Sequence, residues 1–225
     1  TYLSTLYGAI QAGAPPDKWP TVKEHIDRSV AYMLSVRQDM VPGELGWFGI
    51  WPKGKDTDGL QLDEIEYLMC KSLAYDAPIS LQTSFSQMES HILTPQILDI
   101  VREYETLRMS GAVPLETREM LKARGKDFAL IRDGEGIAFV PVRRVPLVAR
   151  TEDVRALVGE HEGRAVATLW HAWRDGLLVV PLSPEAVRVT DFQGAQVELP
   201  PQENGQVVLP VGPTRLTLIC PRLSV

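Results

Sequence analysis

Apolar positions recur along this chain with two different periods, and the change falls near its middle. From Thr21 to Gln38, Val22, Ile26, Val30, Met33 and Leu34 return at helical spacing. Thr21 and Glu24 open this segment as a capping box, each side chain taking the other's backbone amide. Pro42-Gly43 ends it. Glu44 to Trp51 then predicts a short strand apolar on both faces, the pattern of a parallel sheet covered by helices. A polar loop, "PKGKDTDG", leads to a helix over Asp63–Tyr75, with Leu62, Ile65, Leu68, Met69 and Leu73 on one side and Glu64 and Glu66 on a solvated face. Pro78 to Thr83, "PISLQT", predicts a second strand, and "SFSQMESHIL" a loop. Thr94-Pro95 opens the next helix: Thr caps it, and Pro takes the first position, where a missing amide costs nothing. Ile97, Ile100, Val101, Tyr104 and Leu107 form its stripe and Gly111 stops it. Strands joined through helices imply parallel pairing.

Beyond a short helix, Leu115 to Arg124, the period shortens to that of strands. The candidates are "DFALIR", "GIAFVPV", "AVATLWHAW", "GLLVVPL", "VRVTDF", "AQVELP", "QVVLPV" and "RLTLIC". Turn signals separate them: Asp133-Gly134, Asp175-Gly176, Gln193-Gly194, Asn204-Gly205 and Gly212-Pro213. "VRALVGEHEGR" reads as a polar connection. Short strands at this spacing predict an antiparallel β-sandwich. The expected fold class is therefore α/β followed by all-β, with an α/β part over residues 1–113, a connecting helix over 114–125 and a β-sandwich over 126–225.

The α/β part poses a physical problem. Two parallel strands leave both edges bare and give the helices too little to cover, so further strands are expected, either before Thr1 or from a second chain. Composition narrows the field. With 225 residues, 44% hydrophobic and 23% charged, the chain is of ordinary globular make-up. A net charge of −6 argues against a general nucleic-acid binder, and no apolar run approaches the length of a membrane span. The beginning, "TYLSTLYGAIQAG", has no basic stretch ahead of its apolar part, so it does not read as a signal peptide; it also lacks an initiating Met, so processing or a fragment is expected. The sequence assigns no compartment. Cys70 and Cys220 are far apart in apolar surroundings and read as buried thiols. His25, His91, His161 and His171 show no metal-ligand spacing, so neither metal nor other cofactor is expected. Nucleotide-binding and serine-hydrolase motifs are absent.

The order of elements resembles the C-terminal part of a multi-domain glycoside hydrolase, where a (β/α)8 barrel is followed by a β-sandwich. "LGWFGIWP" and "APISLQTSF" resemble the last two barrel strands, and "LKARGKDFALI" the way out of the barrel. The tail "VRVTDFQGAQVELPPQENGQVVLPVGPTRLTLICP" resembles the closing strands of such sandwiches, with Thr190, Asp191, Gly194, Pro210, Gly212 and Pro213 at the corresponding turns. A full barrel needs eight strands, and two are present here, so the resemblance places the principal catalytic carboxylates outside this chain.

The resemblance also implies where chemistry would gather, because the C-terminal ends of barrel strands face the active site. The first such loop holds Trp51, Lys53, Lys55, Asp56 and Asp58; the second holds Ser84, Ser86, Gln87, Glu89 and His91. Trp51, and after it Trp47, are candidate platforms for the flat C–H face of a sugar ring; both could equally pack under helices. Glycoside hydrolysis usually needs two carboxyl groups, and Asp56 and Glu89 are the candidates here. "DTDG" also reads as a solvated turn that caps a helix, and its calcium reading fails for want of the rest of an EF-hand loop. Glu89 beside His91 could shape a pKa or hold a sugar hydroxyl, or be a surface pair. Gln82, at the end of the second strand, could donate to a substrate oxygen. In "TLWHAWRDG", Trp170 reads as core, with His171 and Trp173 on the opposite face.

The expected function is a carbohydrate-active protein, part of a glycosidase, with a carbohydrate and the missing barrel segment or a second chain as partners. The rivals are a non-catalytic β-sandwich module that binds carbohydrate or protein through residues 126–225, with the α/β part as a docking element, and a structural subunit whose barrel another gene product completes.

Overall fold

The computed structural model describes residues 21–36, 43–55, 57–134, 136–147, 153–200 and 205–221. The chain is mixed α/β and divides into two compact units, Thr1–Gly125 and Lys126–Val225.

In the first unit, α1 (Val22–Val36) begins as its sequence dictates. The Thr21 amide donates to Glu24 Oε2 (2.9 Å), and the Glu24 amide to Thr21 Oγ1 (3.2 Å). Ile26, Val30 and Met33 are buried, whereas Leu34 faces solvent. The strands are shorter than their apolar runs: β1 is Gly46–Phe48 and β2 is Ile79–Leu81. They pair in parallel, Gly46 with Ile79, Trp47 with Ser80 and Phe48 with Leu81, as a two-stranded sheet. Of the expected strand apolar and covered on both faces, only one face is covered. Phe48 and Ile50 are buried, but Trp47 is 51% exposed.

Between β1 and β2 runs α2 (Leu62–Tyr75). All of its residues except Glu64 and Tyr75 are buried. This corrects the expected solvated face. Glu66 accepts from the Tyr104 hydroxyl (3.0 Å), which also lies 3.5 Å from Cys70 Sγ. Lys71 is fully buried; its Nζ donates to the carbonyls of Leu121 (2.9 Å) and Ala123 (2.6 Å) and stands 4.6 Å from the centre of the Tyr67 ring. A lysine that deep is tolerated because its acceptors lie at the end of α5 (Leu115–Leu121) and just past its C-cap Lys122, where carbonyls have no helical partner of their own.

The expected loop after β2 contains a one-and-a-half-turn helix, α3 (Phe85–Ser90), capped by Ser84, whose hydroxyl accepts from the Gln87 amide. Then α4 (Thr94–Ser110) begins one residue earlier than expected. Leu93, not Thr94, is its N-cap, and the buried Thr94 hydroxyl has no hydrogen-bond partner among the described residues. Its end is as expected, at Gly111 with φ 65°.

The second unit is antiparallel. A six-stranded sheet runs in the order β3-β4-β5-β6-β10-β8, from β3 (Asp127–Asp133), β4 (Gly136–Arg144), β5 (Val154–His161), β6 (Arg164–His171), β8 (Arg188–Thr190) and β10 (Leu216–Pro221). A two-stranded ribbon pairs β7 (Gly176–Val180) with β9 (Val207–Val211). Val207, Leu209 and Val211 of β9 enter one buried cluster with Val154, Ala156, Leu169, Val189, Leu216 and Leu218 of the larger sheet.

Two readings are corrected. "VRALVGEH" is β5, paired with β6 over eight residues through a Glu162-Gly163 turn; its charges alternate with buried Val154, Ala156 and Leu157, which made it read as a connection. "AQVELP" contributes only a bridge between Gln196 and Thr190. The sheet curls where β4 changes partner: residues 136–142 pair with β3, and 142–144 with β5. Pro141 has no amide to donate there, and Gly159 lets the strands close, since a Cβ at 159 would lie 2.2 Å from the Pro141 carbonyl oxygen.

Candidate functional site

The C-terminal end of the β1–β2 pair gathers the chemistry-bearing residues of the first unit. The ladder extends past β1 and β2: the Gln82 amide donates to the Phe48 carbonyl (2.9 Å) and the Thr83 hydroxyl to the Ile50 carbonyl (2.8 Å). A Cβ at Gly49 would point to the same side as Trp47, because successive positions of an extended chain alternate. It would meet the Trp51 ring at 3.2 Å and the Gln82 carbonyl oxygen at 3.1 Å. The Trp51 ring therefore folds back over Gly49 on the Trp47 side. Trp51 is half-buried with its ring beside Gly49, and Trp47, two residues before that glycine, is exposed. Gln82 is exposed as well.

The loop from Trp51 to Leu60 is closed by the Leu60 amide, which donates to the Trp51 carbonyl (3.0 Å). Gly59, at φ 74°, makes that closure possible: a Cβ there would lie 2.8 Å from both the Pro52 carbonyl carbon and the Lys53 nitrogen. The Thr57 hydroxyl accepts from the Gly59 amide (3.1 Å), and the Gln61 side chain donates to the Asp58 carbonyl (3.0 Å). Asp58 itself is exposed, and Asp56 lies outside the described residues.

His91 is buried, with Nε2 2.7 Å from the Leu60 carbonyl. It bolts the loop after β2 to the loop after β1 and does not face solvent. Burial lowers its pKa, opposed by the bond to Leu60; Glu89 is not among the sources of the shift. Glu89 is exposed near the end of α3. The expected Glu89–His91 pair is therefore two residues facing different ways.

Sequence reasoning missed a half-buried polar contact at the strand pair, where the Ser80 hydroxyl donates to Glu44 Oε1 (2.5 Å). It also missed Lys71, although its position one helical turn after Leu68 puts it on the apolar side of α2.

In the second unit, Trp170 is buried as expected and Trp173 is half-buried. Both cysteines are free and buried. Asp133, His161 and Glu162 come close enough to share a metal ion. Asp133 already carries two arginines, Arg164 and Arg188, so two cations neutralise the group without one. Among the described residues no helix is long and apolar enough to cross a membrane.

No protein-family model and no curated protein matches the chain. The solved structures it is similar to are glycoside hydrolases. One is an Anoxybacillus α-amylase, at 10% identity and TM-score 0.28, covering 73% of this chain and 34% of that one. Another is a family 39 glycoside hydrolase from Bacteroides cellulosilyticus, at 14% and 0.29, covering 90% and 31%. A third is a maltogenic α-amylase from Thermotoga neapolitana, at 11% and 0.31, covering 90% and 48%. The chain thus spans less than half the length of each. Overlaps this loose transfer neither a site nor an activity.

Proposed function

We propose that this chain is the C-terminal portion of a glycoside hydrolase, in which residues 1–113 supply the last two βα units of a (β/α)8 barrel, 114–125 connect, and 126–225 form a β-sandwich. One observation carries the reading: an exposed Trp47 and a half-buried Trp51, whose ring lies beside Gly49, stand at the C-terminal end of a parallel strand pair. In a barrel that end of the strands is where substrate sits. Flat indoles bury the C–H face of a sugar without demanding exact hydrogen bonds, and Gln82 offers an amide beside them. His91 acts here as a positioning residue, holding the two loops in register. Glu89 and Asp56 stay as candidate carboxylates, and the principal catalytic pair belongs to strands beyond this chain.

The test has two steps. Native mass spectrometry of the purified protein should find the barrel completed by a longer polypeptide or a second chain. In that complete assembly, Trp47→Ala and Trp51→Ala should weaken oligosaccharide binding by calorimetry while leaving the melting temperature nearly unchanged. A folded, solitary chain of 225 residues that binds no saccharide would sink the barrel reading. Saccharide binding that survives both tryptophan substitutions would favour the rival module, which the separate buried core of the second unit supports.

A further inference from the structure

The turn that joins β6 to β7 is built around a histidine. His171, the last residue of β6, is buried. Its Nδ1 receives two backbone amides, from Trp173 (3.2 Å) and Arg174 (3.1 Å). A ring nitrogen that accepts hydrogen bonds carries no proton, so the neutral tautomer has its hydrogen on Nε2. The ring is fixed from the other side by Gly176, where a Cβ would come within 2.8 Å of His171 Cδ2. The main chain is held as well: the His171 amide donates to the Gly212 carbonyl (2.7 Å), and the Ala172 amide to the Asp153 carbonyl (2.8 Å). The strand end is thus pinned through its backbone, while the Trp173 and Arg174 amides that follow both bond to one ring nitrogen. Trp173 is half-buried there and Arg174 exposed.

We propose that His171 is an acid-sensitive latch on this turn. While neutral it shapes residues 172–175 through Nδ1. Once Nδ1 binds a proton it becomes a donor, the two amides lose their acceptor, and the turn bearing Trp173 and Arg174 loosens while the β5–β6 ladder stays.

Charged groups face the ring from three directions. Asp153, at the start of β5, and Asp175, within the turn, favour the charged ring; Arg174, in the turn, and Arg155, on β5, oppose it. Arg174 also leans on Asp153, at 3.7 Å. Burial outweighs them all and lowers the pKa below the ordinary histidine value. The latch is therefore fully closed above that ordinary value and opens as pH falls beneath it.

The test is a pH titration of the intact protein by nitrogen-15 NMR, following the His171 ring together with backbone amide exchange. Loss of one hydrogen bond at each amide predicts about tenfold lower protection at Trp173 and Arg174, taken relative to the intrinsic exchange rate at each pH. That change should share the ring's midpoint, below about 6.5, the ordinary value for histidine. The β5–β6 amides should keep their protection. His171→Asn offers an uncharged acceptor near the place of Nδ1, and should keep the turn while abolishing its pH dependence. The idea is overturned if the two amides stay protected after the ring charges, if the whole ladder opens at the same pH, or if His171→Asn titrates like the parent.

Discussion

The two sheets of this protein are built to opposite rules. β1 and β2 meet over three residue pairs, in parallel, and leave Trp47 and Leu81 in solvent. β5 and β6 meet over eight, antiparallel, joined by a two-residue turn, with Ala156, Leu157, Val166 and Leu169 all buried. A hairpin brings its own partner and closes its ladder locally. A parallel pair must instead span a helix, and it gains stability only when that helix and further strands surround it. Here α2 is enclosed chiefly by the other helices of its unit. The lesson is that the small sheet has three backbone pairs and no third strand among the described residues, whereas the large one rests on long ladders.

The substitution expected to break this contrast most is Gly159→Ala. It would force β4 and β5 apart at the curl, since the added methyl meets the Pro141 carbonyl, a main-chain group with no rotamer to yield. Denaturant titration should show a loss of about 3 kcal/mol in the second unit, with the first little changed. Lys71→Met tests the other side. It takes the Lys71 donor from the Leu121 and Ala123 carbonyls, and a cost of roughly 2–3 kcal/mol in the first unit is expected. Far-ultraviolet melting should show helix lost before strand. His91→Ala should cost about 1–2 kcal/mol and speed amide exchange at Leu60, while His91→Gln, which can still donate, should restore most of it. Trp47→Ser should change stability by less than about 0.5 kcal/mol, because the side chain is already half in solvent. A large loss there would mean that the open face is covered.

Acid should act on both units. His25 and His91 in the first, and His171 in the second, all have pKa values lowered chiefly by burial. A group held below its ordinary pKa binds fewer protons folded than unfolded. Its contribution is therefore complete above that ordinary value of about 6.5 and is lost as pH falls from there toward the folded value. Stability measured by urea should be flat near neutrality and decline as pH falls below about 6.5.

Periodicity made most elements legible. The helices of the first unit stand within a few residues of their apolar stripes, and the Thr21–Glu24 box formed as written. What failed did so for identifiable reasons. β5 was hidden because Arg155, Glu160 and His161 gave it the surface composition of a loop, although every second early position is buried. Glu66 looked solvated because helical spacing alone does not reveal a helix buried all round, and its partner Tyr104 lies 38 residues away. At the candidate site, Trp51 was singled out by its place after an apolar strand. The stacking over Gly49 was not legible, because it depends on a missing Cβ. His91 was read as facing a ligand, yet its acceptor, Leu60, is a main-chain group that no side-chain motif announces.

Arg215 is almost wholly buried, lies against the Phe192 ring at 4.6 Å, and donates to the Leu130 carbonyl of β3, the outermost strand of the large sheet. An outer strand is an invitation to intermolecular pairing, because its backbone groups can template a foreign strand. A carbonyl already engaged by a guanidinium is one rung fewer for such a template. At the opposite border, β8 offers only three residues. Concentrated solutions of this protein should therefore resist ordered fibre growth, and Arg215→Leu, which frees that rung and puts an apolar side chain in the buried place of the guanidinium, is the change that would invite it.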